Sequence, residues 1–89
     1  MQINYKRYFP PSYLEERLKN FNSSVKRTVL GRSVNDLPVY QLQIGNGEQN
    51  ILIWSQMHGN ETTTTIALLD FISWLLQPEQ SEYLKFFSF

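Results

Sequence analysis

The sequence predicts an α/β fold made of a helix, a β-hairpin, a buried strand and a second helix. Three observations support this prediction. Apolar residues recur at helical spacing in residues 11–21, two strand-like stretches flank a turn near residue 35, and an apolar run at residues 50–54 leads into a second helical pattern. Hydrophobic residues make up 42% and aromatic residues 15% of the 89 residues, which is typical of a globular protein and excludes a disordered chain.

The first helix is predicted at residues 11–21. Pro10, Pro11 and Ser12 form a helix-start signal, and the polar segment that begins at Asn22 ends the pattern. Charged side chains face away from one apolar side, which we expect to contribute to the core. That apolar side consists of Tyr13, Leu14, Leu18 and Phe21.

Two antiparallel strands are predicted after this helix. The first strand covers residues 25–30, and the glycine-containing segment 31–33 is expected to end it in a turn. The second strand covers residues 37–44, where apolar and polar side chains partly alternate, and the glycines of segment 45–47 end it. The two strands are therefore expected to form a hairpin joined near residue 35.

The continuous apolar run at residues 50–54 predicts a strand buried on both faces, in the centre of a sheet that helices cover. A helix is predicted at residues 62–76, where apolar side chains form one broad face, and Pro78 ends it. The four consecutive threonines at 62–65 are poor helix formers. In a first turn, however, their hydroxyls can satisfy free backbone N–H groups, so the helix prediction stands.

Residues 82–89 are strongly apolar and end without a helix cap, a turn or a polar terminus. A strand buried on both faces needs parallel strands and helices around it, and we expect these residues to provide no further parallel strand. We therefore expect residues 1–89 to be a truncated part of a larger domain.

Charge and composition narrow the range of partners. Eight basic and eight acidic residues leave no net charge, so no electrostatic field attracts nucleic acid or an anionic membrane surface. The absence of cysteine excludes disulfide bonds, thiolate nucleophiles and cysteine-based metal sites. The sequence shows neither a signal peptide nor an apolar stretch of membrane-spanning length. This favours the cytoplasm, although a fragment would look the same.

His58 and Glu61 are the candidate metal ligands. They lie three residues apart, between the predicted buried strand and the helix that follows it. Open α/β sheets place their sites at the carboxyl ends of strands, where both side chains can turn inward. A catalytic zinc ion usually has three nitrogen or oxygen ligands from the protein and one water molecule, and these residues can be two of the three. Gly59 would permit the tight backbone path between them.

Spacing alone leaves a structural interpretation open. Glu61 near a helix start interacts favourably with the helix dipole, and Asn60 is a good N-cap residue. The motif His-Glu-x-x-His is absent, and the inverted motif His-x-x-Glu-His fails because Thr62 follows Glu61. His58 is the only histidine, so a third histidine-type ligand has to lie beyond residue 89 or on another molecule.

Four further segments follow one another in an order that matches one enzyme family. They are Leu30-Gly31-Arg32-Ser33, Leu37-Pro38-Val39-Tyr40, Ile44-Gly45 and Trp54-Ser55-Gln56-Met57-His58-Gly59-Asn60-Glu61. In this order the chain resembles the zinc carboxypeptidases, the M14 metallopeptidases, over about residues 10–77. The resemblance implies the N-terminal fragment of a mixed-sheet α/β/α zinc carboxypeptidase-like catalytic domain.

The resemblance also implies that His58 and Glu61 bind the catalytic zinc ion. The family's third ligand is a later histidine and its general base a later glutamate, while later arginine and tyrosine residues hold the substrate's terminal carboxylate. None of these positions lies within the 89 residues. We therefore assign no catalytic or substrate-binding residue, and we expect no peptidase activity from the isolated chain.

The activity implied by the resemblance is hydrolysis of peptide bonds near a free carboxyl terminus. Asn60 departs from the digestive carboxypeptidases, which have arginine there, and His-Gly-Asn-Glu occurs both in bacterial peptidoglycan-peptide hydrolases and in related zinc-dependent deacylases of N-acyl amino acids. The upstream segments favour the peptidase and hence a peptide substrate. A deacylase acting on acyl-amino acids is one alternative. Another is a non-catalytic α/β module that binds a partner through an uncovered sheet edge and the apolar tail.

Overall fold

The structure is a computed structural model that describes residues 9–89. It contains helices and two small sheets, one antiparallel and one parallel, which confirms the predicted α/β class. Within the described residues, no helix has the length and apolar character that crossing a membrane requires. The elements, in chain order, are α1 Pro11–Lys19, β1 Lys26–Arg32, β2 Pro38–Gln43, β3 Gln49–Asn50, α2 Thr62–Leu75, a 3₁₀ turn Pro78–Gln80, α3 Ser81–Phe86 and β4 Phe87–Ser88.

Helix α1 begins where predicted and ends at Lys19, earlier than predicted. The amide of Asn20 donates to the carbonyl of Arg17 at 3.2 Å, and the amide of Phe21 donates to that of Leu18 at 3.3 Å. These shorter i to i−3 bonds tighten the end of the helix and satisfy carbonyls that would otherwise lack a partner. Phe21 therefore fits the helical spacing of apolar residues, although regular α-helical geometry ends at Lys19.

The hairpin is antiparallel as predicted, but its turn begins later. Lys26 pairs with Gln43 and Arg32 with Pro38, with a register shift between Val29 and Gly31. The prediction that segment 31–33 ends β1 is therefore wrong for its first two residues. The shift marks a β-bulge, a position where one strand carries an extra residue, and the strand continues beyond it.

A polar loop closes the hairpin. Ser33 and Leu37 are joined by two hydrogen bonds, from the Ser33 amide to the Leu37 carbonyl at 2.8 Å and from the Leu37 amide to the Ser33 hydroxyl at 3.1 Å. Asp36 has a φ of 59°, in the left-handed region that aspartate tolerates better than most residues. Its carboxylate accepts a hydrogen bond from Arg32 at 2.6 Å. Asp36, and not Gly31, thus allows the chain to reverse.

The prediction of a central strand at residues 50–54 is wrong. Strand β3 is parallel to β4, and this pairing ends with a hydrogen bond of 2.8 Å from the Ile51 amide to the Ser88 carbonyl. Beyond Ile51 the run has no strand partner among the described residues, and the side chains of Leu52 and Trp54 are 78% and 64% exposed. Burial of an apolar strand requires paired neighbours on both sides, and β4 provides only two residues.

Strand β4 also overturns the expectation that residues 82–89 contain no parallel strand. Ile44 and Phe89 exchange both backbone hydrogen bonds, at 3.1 and 2.8 Å, as directly opposed antiparallel residues do. The Gly47 amide donates to the Phe87 carbonyl at 3.3 Å, and the Ser88 hydroxyl donates to the Gly47 carbonyl at 2.7 Å. Residues 84–89, which we call segment 84–89, are therefore bound to the loop between β2 and β3.

The core lies where α1, α2 and β2 meet. Phe9 and Leu18 contact Ile66 and Leu69 of α2, and Tyr40 and Leu42 of β2 pack against this cluster. An ion pair between Arg17 and Asp70, 3.0 Å long and mostly shielded from solvent, joins the two helices. Such a core fixes the start of α2, and with it the loop that precedes α2. Among residues 9–89, the fully or almost fully buried apolar side chains are Phe9, Leu18, Ile44, Ile66, Leu69 and Leu75.

Tyr40 links the hairpin to α1. Its hydroxyl donates a hydrogen bond to the carboxylate of Glu15, which Arg27 also approaches at 3.9 Å. This hydrogen bond raises the pKa of Tyr40 above 10.0, because it is lost when the phenol ionises; partial burial and the negative charge of Glu15 act in the same direction. The neutral phenol is therefore the form that the folded state favours.

The raised pKa of Tyr40 predicts how stability depends on alkaline pH. Its contribution is complete below pH 10.0 and decreases as the pH rises through the higher pKa of the folded state. We expect the difference in urea midpoint between the wild type and Tyr40→Phe to be constant below that pH and to shrink above it. A difference that grows above pH 10.0 would contradict the assignment of the hydrogen bond to Glu15.

Candidate metal centre

The loop of residues 55–61, called loop 55–61, connects the exposed apolar run to α2. Glu61 occupies the N-cap position of α2, and Asn60, the N-cap residue of the structural interpretation, lies one residue before it. The side chain of Glu61 makes no capping hydrogen bond. Its amide donates to the carbonyl of His58 at 3.1 Å, which closes a turn and brings the two side chains to the same side of the loop.

His58 and Glu61 are in direct contact. The Nδ1 atom of His58 faces the Oε1 atom of Glu61 within hydrogen-bonding range. Their side chains are 78% and 52% exposed, so the pair lies at the surface. The structure therefore places the two residues together as their spacing predicts.

The chemistry of this pair fits zinc. Zinc binds imidazole nitrogen and carboxylate oxygen at about 2.0–2.2 Å, and two donor atoms that already face each other can be held by one ion after a small outward rotation. Among residues 9–89, no group of three or more His, Cys, Asp and Glu side chains could hold a metal ion. The described residues thus contain two neighbouring donor atoms of the types that zinc binds, with no third such side chain grouped with them.

Threonine hydroxyls of α2 bind loop 55–61. The Thr65 hydroxyl donates to the side-chain carbonyl of Gln56 at 2.6 Å and lies 2.8 Å from the Ser55 hydroxyl. The Thr64 hydroxyl donates to the carbonyl of Glu61 at 2.9 Å and accepts a longer bond of 3.4 Å from the Gln56 amide. The sequence suggested that these hydroxyls can satisfy N–H groups in the first turn of their own helix. The hydroxyls of Thr64 and Thr65 instead bind the loop.

Gln56, and not Gly59, makes the tight turn of the loop. Gln56 has a φ of 55°, in the left-handed region, whereas Gly45 is the one glycine with positive φ among the described residues. The side-chain amide of Gln56 donates to the Gly59 carbonyl at 2.9 Å. Sequence reasoning missed Gln56, because glutamine has no particular preference for the left-handed region and so gives no signal.

An apolar cleft of about 570 Å³ adjoins the loop. It lies between β2, residues 51–54 and α2, and Ser55 and Gln56 form its border on the side of the loop. Beyond Ile51 the run has no strand partner among the described residues, so the cleft is open to solvent on this side. Its apolar wall includes Tyr40, Leu42, Ile53, Trp54, Leu69 and Phe89.

The zinc carboxypeptidase family model, Peptidase M14, matches residues 11–87. The chain belongs to this family. The match covers α1, the hairpin, loop 55–61 and α2, and it extends beyond residue 77, where the resemblance was predicted to end, into α3 and β4. No curated protein and no solved structure gives a significant match to this zinc carboxypeptidase chain.

Proposed function

We propose that this chain provides two ligands, His58 Nδ1 and Glu61 Oε1, of the zinc site of a metallocarboxypeptidase that hydrolyses peptide bonds near a free carboxyl terminus. The observation that carries this proposal is the contact of these two donor atoms on an open surface, in a chain of the zinc carboxypeptidase family. A purely structural ion pair would explain the contact equally well, and the family match is the reason to favour the metal.

The two residues hold the metal and take no other part in the proposed reaction. When bound, zinc polarises the substrate carbonyl and lowers the pKa of its water molecule to about 7. With Nδ1 of His58 and the carboxylate of Glu61 occupied by the ion, neither residue is free to act as the general base. The base has to come from another residue.

We further propose that residues 1–89 belong to a catalytic domain whose third zinc ligand and general base lie outside them. The sequence contains one histidine, and the described residues contain no third donor near the pair. Two ligands neither close the coordination shell nor orient a substrate. These 89 residues alone are therefore expected to bind zinc without hydrolysing a substrate.

Zinc titration of the 89-residue chain tests this proposal. The single histidine gives one set of imidazole C–H signals in the NMR spectrum, which we expect to shift with a dissociation constant weaker than about 1 μM, because only two ligands contribute. We expect no turnover of a peptide with a free carboxyl terminus or of an N-acyl amino acid. Unchanged imidazole signals at saturating zinc would refute the ligand assignment. Turnover that His58→Ala abolishes would refute the incomplete site.

The exposed apolar run favours a second candidate, a non-catalytic module that binds a partner. Leu52 and Trp54 are largely exposed beside the apolar cleft, and contiguous exposed apolar surface is typical of interaction sites. Analytical ultracentrifugation and denaturant unfolding distinguish the candidates. A monodisperse monomer that unfolds cooperatively supports the module, whereas association or loss of cooperativity supports part of a larger domain.

A further inference from the structure

We propose that Gln56 is a positioning residue for the zinc ligands, because its side chain fixes the backbone of loop 55–61 between His58 and Glu61. This inference rests on the proposed function, since it assumes that these two residues bind zinc. It assigns a role to a residue that provides no donor atom to the metal. Three features of the structure describe how this loop is held: the backbone of Gln56, its side-chain amide, and a separate connection through Thr64.

The first feature is the backbone of Gln56. Its φ of 55° lies in the left-handed region, which a residue with a Cβ atom adopts only at an energetic cost. Glycine would adopt the same conformation without this cost. Unfavourable backbone conformations in folded proteins concentrate at functional sites, where the surrounding contacts maintain them. A glutamine at this position is therefore expected to contribute through its side chain.

The second feature is the way in which the side-chain amide of Gln56 is used. Its oxygen accepts a hydrogen bond from the Thr65 hydroxyl at 2.6 Å, and its nitrogen donates to the Gly59 carbonyl at 2.9 Å. The Gly59 carbonyl can only accept, so it fixes which end of the amide is the nitrogen. The side chain of Gln56 thus joins Thr65 of α2 to the carbonyl of Gly59, the residue directly after His58.

The third feature is a parallel connection through Thr64. Its hydroxyl donates a hydrogen bond to the Glu61 carbonyl at 2.9 Å and accepts one from the backbone amide of Gln56 at 3.4 Å. The carbonyls of Gly59 and Glu61 are therefore both bound, while the side chains of His58 and Glu61 contact each other and stay largely exposed. The network holds the ligand-bearing backbone without using the donor atoms themselves.

Positioning of this kind is measurable as metal affinity. Two ligands capture one ion well only if their donor atoms are held at compatible positions before the ion arrives, and loss of a supporting contact behind the ligands typically weakens metal binding about 10–100-fold. Gln56→Gly removes the side chain and leaves the left-handed backbone favourable. Thr65→Val removes one hydroxyl with almost no change in shape.

The experiment measures zinc affinity and stability in the same variants of the 89-residue chain. We expect Gln56→Gly and Thr65→Val to raise the zinc dissociation constant, followed at the imidazole signals of His58, by about 10-fold or more. The urea midpoint of Gln56→Gly is expected to fall slightly, because two side-chain hydrogen bonds are lost while relief of the left-handed backbone offsets the added freedom of the unfolded chain. Thr63→Val is the matched control, since Thr63 is exposed in the same helical turn, and we expect wild-type affinity.

The outcomes separate this inference from the proposed function. If the wild type binds zinc through His58 and Gln56→Gly binds it with the same affinity, the positioning role is wrong and the ligand assignment stands. A merely structural role for Gln56 would lower the urea midpoint and leave the affinity of the folded chain unchanged, which also overturns the inference. If zinc leaves the imidazole signals of the wild type unchanged, both proposals fail.

Discussion

Replacement of His58 by alanine is expected to abolish zinc binding by this chain at micromolar to low millimolar zinc. The substitution leaves the carboxylate of Glu61 as a single exposed donor, and one monodentate carboxylate does not retain zinc against water. Loss of a supporting contact alone costs about 10–100-fold in affinity, so loss of a ligand should cost more than about 100-fold. Isothermal titration calorimetry is the suitable measurement, because the variant lacks the histidine whose NMR signals report binding.

The same substitution should leave the fold unchanged. The side chain of His58 is 78% exposed and its contact with Glu61 lies at the surface, where an ion pair contributes little to stability. We expect the urea midpoint of His58→Ala to equal that of the wild type. Glu61→Gln should also weaken zinc binding, and Glu79→Gln, an exposed glutamate away from loop 55–61, should not. Zinc binding of undiminished affinity in His58→Ala would show that the ion binds elsewhere.

Gly47→Ala is expected to have the largest effect on stability. An ideal Cβ atom at this position would lie 1.9 Å from the backbone carbon of Phe86 and 2.2 Å from the backbone nitrogen of Phe87. Backbone atoms cannot move aside as a side chain can, so segment 84–89 would have to separate from the loop. Forced overpacking typically costs about 1–3 kcal/mol, and the loss of the hydrogen bonds between Gly47 and residues 87–88 adds to it. The free energy of unfolding should therefore fall by about 3 kcal/mol or more.

Denaturant unfolding and hydrogen exchange measure this effect. We expect the amide of Phe89, which is bonded to Ile44, to lose its protection in Gly47→Ala. Gly31→Ala is the matched control, because a Cβ atom there would meet no atom within 4 Å, and its stability should stay within about 0.5 kcal/mol of the wild type. A wild-type unfolding curve for Gly47→Ala would contradict the close contact between the loop and segment 84–89.

Features that depend on neighbouring residues were predictable from the sequence. The proline pair before α1, the polar hairpin loop and Pro78 after α2 act on the backbone within a few residues, and the structure has an element boundary close to each. His58 and Glu61 are three residues apart beside a helix start, so a single turn is enough to bring their side chains into contact. The donor pair was therefore visible before any tertiary contact was known.

Features that depend on distant segments of the chain could not be predicted from the sequence. The apolar run at residues 51–54 predicted burial, because apolar side chains tend to leave water. They can be buried only if neighbouring strands pair with the run and other elements cover it. Strand β4 pairs no further than Ile51. The side chain of Gln56, whose backbone is left-handed, is hydrogen-bonded to Thr65, nine positions away on α2. No preference of glutamine itself could indicate this.

The sequence by itself determined the α/β class, the two main helices, the hairpin and the His58–Glu61 pair, because each follows from local backbone preferences or short spacing. The tertiary structure decided that residues 51–54 are exposed, that Gln56 connects loop 55–61 to α2, and that Gly47 lies against the backbone of Phe86. Each of these depends on which remote parts of the chain meet, and the free energy of such contacts is not encoded at any single position.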